Sequence, residues 1–124
     1  MTIGFKSRDV VELTVDPFGK HPSRTAVIIS SAARPHDPES DEVIHTVTPM
    51  TSHVEKYADH EWAVFLDKSE DTVGQDLAYD SVVEPWVTMP ISEDKINTNI
   101  TQIPHRKMEA IAKAHARMIL DEDV

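Results

Sequence analysis

The chain has 124 residues, enough for one domain with a single hydrophobic core but not for two. It contains no cysteine, which excludes a disulfide framework, a thiol nucleophile and a thiolate metal site. Its formal net charge of −10 argues against a large phosphate-binding surface, because lysine and arginine supply most of the affinity for nucleic acid.

The N-terminal half predicts three strands. Residues 7–15 alternate apolar and polar side chains, and Asp16-Pro17 ends that first strand. Residues 25–31 form a continuous run rich in β-branched side chains, as expected of a strand buried on both faces, and residues 43–52 alternate. These last two segments are predicted to be adjacent central strands. The segment between them, residues 32–41, has two prolines and no periodicity and predicts a mobile surface loop.

The C-terminal half predicts three further strands and then a helix. Residues 61–66 and 77–89 are β-prone, with Pro85 at a bulge or edge of the second segment, and residues 96–103 predict a final edge strand after a turn at 91–94. Pro104 suits a first helical position, and apolar residues then recur at helical spacing. The predicted fold is therefore mainly β, a small barrel or sandwich closed by a C-terminal amphipathic helix.

The chain is expected to form a single domain over residues 1–124 in the cytoplasm. No apolar segment approaches membrane-spanning length, and the N-terminus lacks the apolar stretch of a secretory signal. Three glycines leave no room for a phosphate-cradling loop, and the seven histidines lack the local spacing typical of zinc ligands. We therefore expect no cofactor, no metal and no membrane.

Two short polar segments carry the candidate chemistry, one before the second predicted strand and one after the third. An antiparallel pairing of these strands would bring both segments to the same end of the sheet. The residues are Lys20, His21, Arg24, Thr51, Ser52 and His53.

These residue types suffice for cleaving RNA through its own 2′-hydroxyl without a metal. That reaction needs a proton acceptor, a cation for the charge on phosphorus and a donor to oxygen. Arg24 can hold phosphate oxygens in a bidentate manner, Thr51 can donate a hydroxyl hydrogen bond, and His21 or His53 can accept a proton. The alternative is structural: a Thr-Ser pair is ordinary turn chemistry, and Arg24 can simply solvate a strand end.

The order of these motifs resembles the MazF/PemK family of toxin–antitoxin endoribonucleases. The similar segments are residues 9–17, Arg24-Thr-Ala-Val-Ile-Ile-Ser30, Val47-Thr-Pro-Met-Thr-Ser52 and Tyr79-Asp80. The resemblance implies an SH3-like barrel and a homodimer that cleaves single-stranded RNA without a metal. The expected products are a 2′,3′-cyclic phosphate and a 5′-hydroxyl, and the expected partner is a cognate antitoxin protein.

The resemblance assigns catalysis to two residues. Arg24 matches the family arginine that acts in proton transfer and phosphate stabilisation, and Thr51 matches the threonine after the proline. Substrate binding is assigned to Lys20, His21, Ser52 and His53. Arg8 stands where the family usually has glycine.

Two other functions stay open at this point. A non-catalytic protein-binding module, either a gyrase-directed toxin of the related CcdB type or an inactive relative, would be less hindered by an acidic surface. A plain structural subunit that assembles through its sheet edge and helix is the third possibility.

Overall fold

A computed structural model of the chain describes residues 4–30, 39 and 41–120. The predicted surface loop at 32–41 lies largely outside the described residues, as do the acidic residues 121–123 that follow the helix. The described part contains seven strands, two short 3₁₀ turns at Val54–Tyr57 and Glu93–Lys95, and one helix. The strands are β1 Asp9–Leu13, β2 Arg24–Ile28, β3 Ile44–Thr51, β4 Val64–Leu66, β5 Ser81–Val83, β6 Met89–Ser92 and β7 Ile96–Gln102, and the helix is α1 His105–Leu120.

All the strand pairings are antiparallel, and they follow the order β4-β5-β3-β2-β1-β7. The long strand β3 also pairs with β6 along its first half, whereas its last two residues pair with β5. β3 thus pairs with β6 near its start and with β5 near its end, and the sheet curls into a half-barrel. The mainly-β prediction with one C-terminal helix is confirmed, and β2 and β3 are indeed adjacent central strands.

Both faces of the central strands are buried. Successive side chains of β1 and β2 point to opposite faces, so Val10 and Val27 enter one core while Val11 and Ala26 enter the other. Ile111 of α1 belongs to the first core, which places the helix over that face of the sheet. Full burial of each such side chain stabilises the fold by about 1.5–3 kcal/mol, so this double layer holds the strand ends rigidly.

The predicted long strand over residues 77–89 is wrong. Only Ser81–Val83 form a strand, and the chain then turns, with the Val87 N–H donating to the Glu84 carbonyl at 2.9 Å. Pro85 inside that turn has no N–H for a sheet ladder, which explains the break. The chain becomes extended again only at Met89, in β6.

The predicted turn at 91–94 is wrong for Ile91 and Ser92 and confirmed for Glu93 and Asp94. Ile91 pairs with His45, and Ser92 pairs with Ile44, as part of the ladder between β6 and β3. A 3₁₀ turn follows at Glu93–Lys95 and leads straight into β7. This short ladder depends on a partner strand about 46 positions earlier, which local pattern does not reveal.

Helix α1 begins at His105, one residue after the predicted first position at Pro104, and polar contacts connect its first turn to β4 and to the turn that follows β4. Arg106 contacts the carboxylate of Asp71, and the Lys107 ammonium donates to the Phe65 carbonyl at 2.7 Å. Within the described residues, no helix combines the length and apolar character needed to cross a bilayer.

Candidate active site

The two segments singled out in the sequence meet at one end of the sheet. In the ladder between β2 and β3, Ala26 lies opposite Pro49 and Val27 lies opposite Thr48. Arg24 begins β2 and Thr51 ends β3, so the antiparallel register brings them to the same end. Both residues line one open cavity of about 360 Å³.

Five of the six candidate residues line this cavity, namely His21, Arg24, Thr51, Ser52 and His53. Lys20 is not among the lining residues, and its backbone N–H donates to the Asp16 carboxylate at 3.1 Å. Sequence reasoning did not select the rest of the lining, which comprises Ser23, Thr25, Met50, Leu77, Ala78, Tyr79, Ser81 and Ile100.

Two carboxylates and an aromatic ring hold the Arg24 guanidinium, which is only 14% exposed. Its Nη2 donates to Glu84 Oε2 at 3.2 Å, and its Nη1 lies 3.8 Å from Asp16 Oδ2. The Phe18 ring covers one face, with 4.9 Å from the Arg24 Cζ to the ring centroid. Arg24 Nε is buried, and no residue in the described part of the chain accepts a hydrogen bond from it. The guanidinium is therefore oriented, but most of its N–H donors stay unused.

Asp16 organises the loop that leads to Arg24. Its fully buried carboxylate accepts backbone N–H bonds from Phe18 at 3.0 Å, from Lys20 at 3.1 Å and from His21 at 3.0 Å. Burial opposes ionisation, but these N–H bonds and the Arg24 charge outweigh it and lower the pKa of Asp16. The ionised carboxylate shapes the loop so that His21 lines the cavity and Phe18 covers Arg24.

Glu84 connects Arg24 to the segment after β3. Its second carboxylate oxygen accepts a 2.9 Å hydrogen bond from the Tyr57 hydroxyl. That bond, together with burial and the negative charge of Glu84, raises the pKa of Tyr57 above its ordinary value of 10.0. The Tyr57 ring in turn packs against Trp86 at 5.8 Å between centroids. One carboxylate thus ties together the start of β2, the 3₁₀ turn after β3 and the turn after β5.

The Thr51 hydroxyl is oriented by its own loop. Its Oγ1 accepts the backbone N–H of His53 at 3.2 Å. Because the oxygen serves as acceptor in that bond, its hydrogen remains available to donate into the cavity. Ser52 and His53 are exposed on the same rim.

The described residues do not form a cluster of side chains that could bind a metal ion. Across residues 4–30, 39 and 41–120, no three His, Asp or Glu side chains converge into a ligand group. His45 is buried in β3 with its Nε2 at 3.0 Å from Glu93 Oε1, and it does not line the cavity. His45 therefore has a structural role in the sheet.

Sequence reasoning overlooked the partners of Arg24. Asp16 was considered only as the end of the first strand, although an Asp-Pro-x-Gly sequence is typical of a turn in which the aspartate accepts N–H bonds. Glu84 lay inside an apolar run, where a lone acid signals a buried charge that needs a partner. Nothing in the local pattern identifies that partner as Arg24.

Comparisons with known proteins agree with this architecture. The sequence model of a family described as PemK-like, MazF-like toxin of type II toxin-antitoxin system matches residues 6–119. A comparison with curated protein sequences finds no match.

Two solved structures share the fold. A Mycobacterium tuberculosis toxin, MazF-mt6, superposes with a TM-score of 0.61 and 21% identity over 94% of this chain and 100% of that one. An endoribonuclease in complex with its cognate antitoxin, from a mycobacterial species, superposes with a TM-score of 0.59 and 12% sequence identity over 93% of this chain and 92% of that one. Because the family match extends over nearly the whole chain, the protein belongs to the PemK-like, MazF-like toxin family of type II toxin–antitoxin systems.

Proposed function

We propose that the protein is an endoribonuclease that cleaves single-stranded RNA at short sequence motifs without a metal ion. One observation carries the proposal: in a chain of this toxin family, Arg24 and Thr51 line the same cavity at the same end of two paired strands. A guanidinium and a hydroxyl that share a cavity can contact the same phosphodiester.

In the proposed reaction, the 2′-oxygen of the RNA attacks phosphorus, and the bond from phosphorus to the 5′-oxygen breaks. Arg24 stabilises the negative charge on the phosphoryl oxygens, and Thr51 donates a hydrogen bond to one of them. The 2′-hydroxyl proton is taken up in the cavity, where His21 and His53 are candidate proton acceptors in addition to Arg24. A proton returns to the 5′-oxygen, which gives a 2′,3′-cyclic phosphate and a 5′-hydroxyl.

We further propose two protein partners, a second copy of the chain and a cognate antitoxin. Family membership supports the antitoxin, since a type II toxin is paired with one. The mycobacterial endoribonuclease of the same fold is described in complex with its own antitoxin. An antitoxin segment that covers the cavity would keep RNA away from Arg24 and Thr51.

One observation favours a second candidate, a toxin that binds a protein and does not cleave RNA. Two carboxylates face the single guanidinium of Arg24, and the chain as a whole carries a net charge of −10. Both features repel a polyanion. A cleavage assay separates the two functions.

The experiment incubates the protein with a long unstructured RNA in the presence of EDTA. We expect wild-type protein to cleave, and we expect Arg24→Ala and Thr51→Ala to lose most of that activity. Polynucleotide kinase should label the downstream fragments without prior phosphatase treatment, because a 5′-hydroxyl accepts phosphate directly.

Matched controls are Arg117→Ala on α1 and Thr98→Ala on β7, neither of which lines the cavity. Both should cleave like the wild type. Intact RNA over a range of salt concentrations, together with growth arrest on expression, would instead favour the protein-binding alternative.

A further inference from the structure

We infer that Glu84 is a positioning residue that holds the Arg24 guanidinium in its working orientation. This inference rests on the proposed ribonuclease function of the same cavity. Glu84 itself is not among the cavity-lining residues, so it acts through Arg24 and does not touch the RNA.

The contacts of the Glu84 carboxylate are divided between two residues. Oε2 accepts from Arg24 Nη2 at 3.2 Å, and Oε1 accepts from the Tyr57 hydroxyl at 2.9 Å. With both oxygens engaged, the carboxylate cannot rotate without losing a bond. Its direction relative to Arg24 is therefore set by Tyr57.

The backbone of Glu84 is held as firmly as its side chain. Its N–H donates to the Pro49 carbonyl at 3.1 Å, which continues the ladder beyond β5. Its carbonyl oxygen lies 2.8 Å from the hydroxyl of Thr48, a fully buried residue of β3 whose single hydroxyl hydrogen is shared with the Val87 carbonyl. The residue is only 7% exposed. A carboxylate on such a rigid support is suited to orienting a flexible arginine.

Asp16 does not take over this task. Its oxygens are already used by three backbone N–H groups of the loop, and its distance to Arg24 Nη1 is 3.8 Å, beyond hydrogen-bond range. In the described part of the chain, Glu84 supplies the hydrogen bond that the Arg24 side chain makes. One of the five guanidinium N–H donors is bonded to Glu84 and the Nε donor is buried, so three remain for other partners, which suits an arginine that must also hold a phosphate.

The test compares Glu84→Gln with Glu84→Ala. Glutamine keeps an oxygen that accepts from Arg24, and its amide can donate to the Tyr57 oxygen, whereas alanine removes both contacts. We expect Glu84→Ala to lower kcat on RNA by about 10- to 100-fold, the cost of a misplaced catalytic group, with KM changed much less. Glu84→Gln should restore kcat to within about threefold of the wild type, since orientation is retained.

The matched controls are Glu93→Gln and Glu93→Ala, because Glu93 is also a partly buried acid, paired with His45 and distant from the cavity lining. Both should leave kcat unchanged. Circular dichroism establishes that each variant folds. If Glu84→Ala does not fold, Tyr57→Phe takes its place, because it frees one carboxylate oxygen and should lower kcat without unfolding the chain.

A second readout does not depend on RNA cleavage. In the wild type, the nuclear magnetic resonance signal of the Arg24 Nε–H should be resolved and exchange slowly with water, and Arg24→Lys identifies it by its loss. Glu84→Ala should broaden this signal, and Glu84→Gln should keep it. If wild-type protein leaves RNA intact while the signal follows this pattern, the ribonuclease proposal fails and the positioning role stands. An unchanged Arg24 signal in Glu84→Ala, or equal loss of kcat in both Glu84 variants, overturns the positioning role.

Discussion

Glu84 Oε2 lies 3.2 Å from Arg24 Nη2, although the two residues are 60 positions apart in the sequence. With Asp16 on the other side of the guanidinium, two negative charges face one positive charge. A phosphate that enters the cavity meets an arginine whose charge is already compensated. Strong ground-state binding is therefore not expected from Arg24, and its contribution should appear as charge builds up on phosphorus in the transition state.

The Thr51 hydroxyl provides the first prediction. Thr51→Val keeps the branched shape but removes the donor, and we expect kcat on RNA to fall by about 10²- to 10³-fold, as for other oxyanion donors. Thr51→Ser keeps the hydroxyl and should retain cleavage within about tenfold of the wild type. Equal loss in both variants would indicate that Thr51 acts through packing. The control is Thr98→Val, at an exposed position of β7.

The Asp16 carboxylate provides a prediction about stability and pH. Its folded-state pKa is lowered, mainly because backbone N–H bonds outweigh the effect of burial, so the unfolded chain binds this proton more readily. The stabilisation is complete above the ordinary pKa of 3.8 and is lost as pH falls through the lower folded-state pKa. At neutral pH, Asp16→Asn should lower the free energy of unfolding by about 1.5–3 kcal/mol.

Denaturant titrations of the wild type and Asp16→Asn at several pH values check this prediction. The difference between the two proteins should be constant from neutral pH down to about pH 5 and should shrink below about pH 4. A difference that does not depend on pH would contradict the ionic role of the carboxylate.

Tyr57 provides a prediction that can be read by ultraviolet absorbance. The chain contains two tyrosines, so Tyr79→Phe leaves Tyr57 as the only phenol. Its hydrogen bond to Glu84, its burial and the charge of Glu84 all raise its pKa, so it should ionise above pH 10.0 in the folded protein. Adding Glu84→Gln should move the midpoint down toward 10.0, because the negative charge is removed. An unmoved midpoint would show that Glu84 does not interact with Tyr57 in solution.

The central strands and the helix were predictable from sequence because each is defined by its own pattern. The β-branched run of β2 and the 3.6-residue period of α1 need no knowledge of distant partners. The meeting of Arg24 and Thr51 in one cavity followed from the antiparallel pairing of two neighbouring strands. Sequence order was sufficient there, because consecutive strands commonly pair.

The support for Arg24 was not predictable in the same way. Glu84 reaches Arg24 because Pro85 breaks the strand and the buried Thr48 hydroxyl fixes the turn that follows. Similarly, β6 exists because it pairs with the first half of β3, so the predicted turn at 91–94 was wrong for Ile91 and Ser92. These features depend on contacts between residues 36 to 60 positions apart, which local periodicity does not reveal.

Arg8 provides a prediction about backbone strain. Its φ of 78° lies in the left-handed region that favours glycine. Arg8→Gly relieves about 1–2 kcal/mol of steric cost but raises the entropy of the unfolded chain, at about 0.4–1 kcal/mol. We expect a net gain of up to about 1.6 kcal/mol in the free energy of unfolding, measured in urea, with RNA cleavage unchanged. Arg8→Ala keeps the strain and should not stabilise the protein.

Tyr79 provides the last prediction, which concerns substrate binding. Its side chain lines the cavity shared by Arg24 and Thr51, yet the residue is 69% exposed. An exposed aromatic ring beside a phosphate site offers a surface on which an RNA base can stack, and such stacking contributes about 1–3 kcal/mol per base.

Because the chain has an excess of acids, stacking is a source of affinity that does not require positive charge. Tyr79→Ala should therefore weaken binding of a non-cleavable, 2′-deoxy-substituted RNA by about 5- to 150-fold, measured by fluorescence anisotropy. Tyr79→Phe keeps the ring and should bind like the wild type. The control is Phe65→Ala, which removes an exposed aromatic ring that does not line the cavity. If Tyr79→Phe weakens binding as much as Tyr79→Ala, the hydroxyl carries the contact and stacking does not.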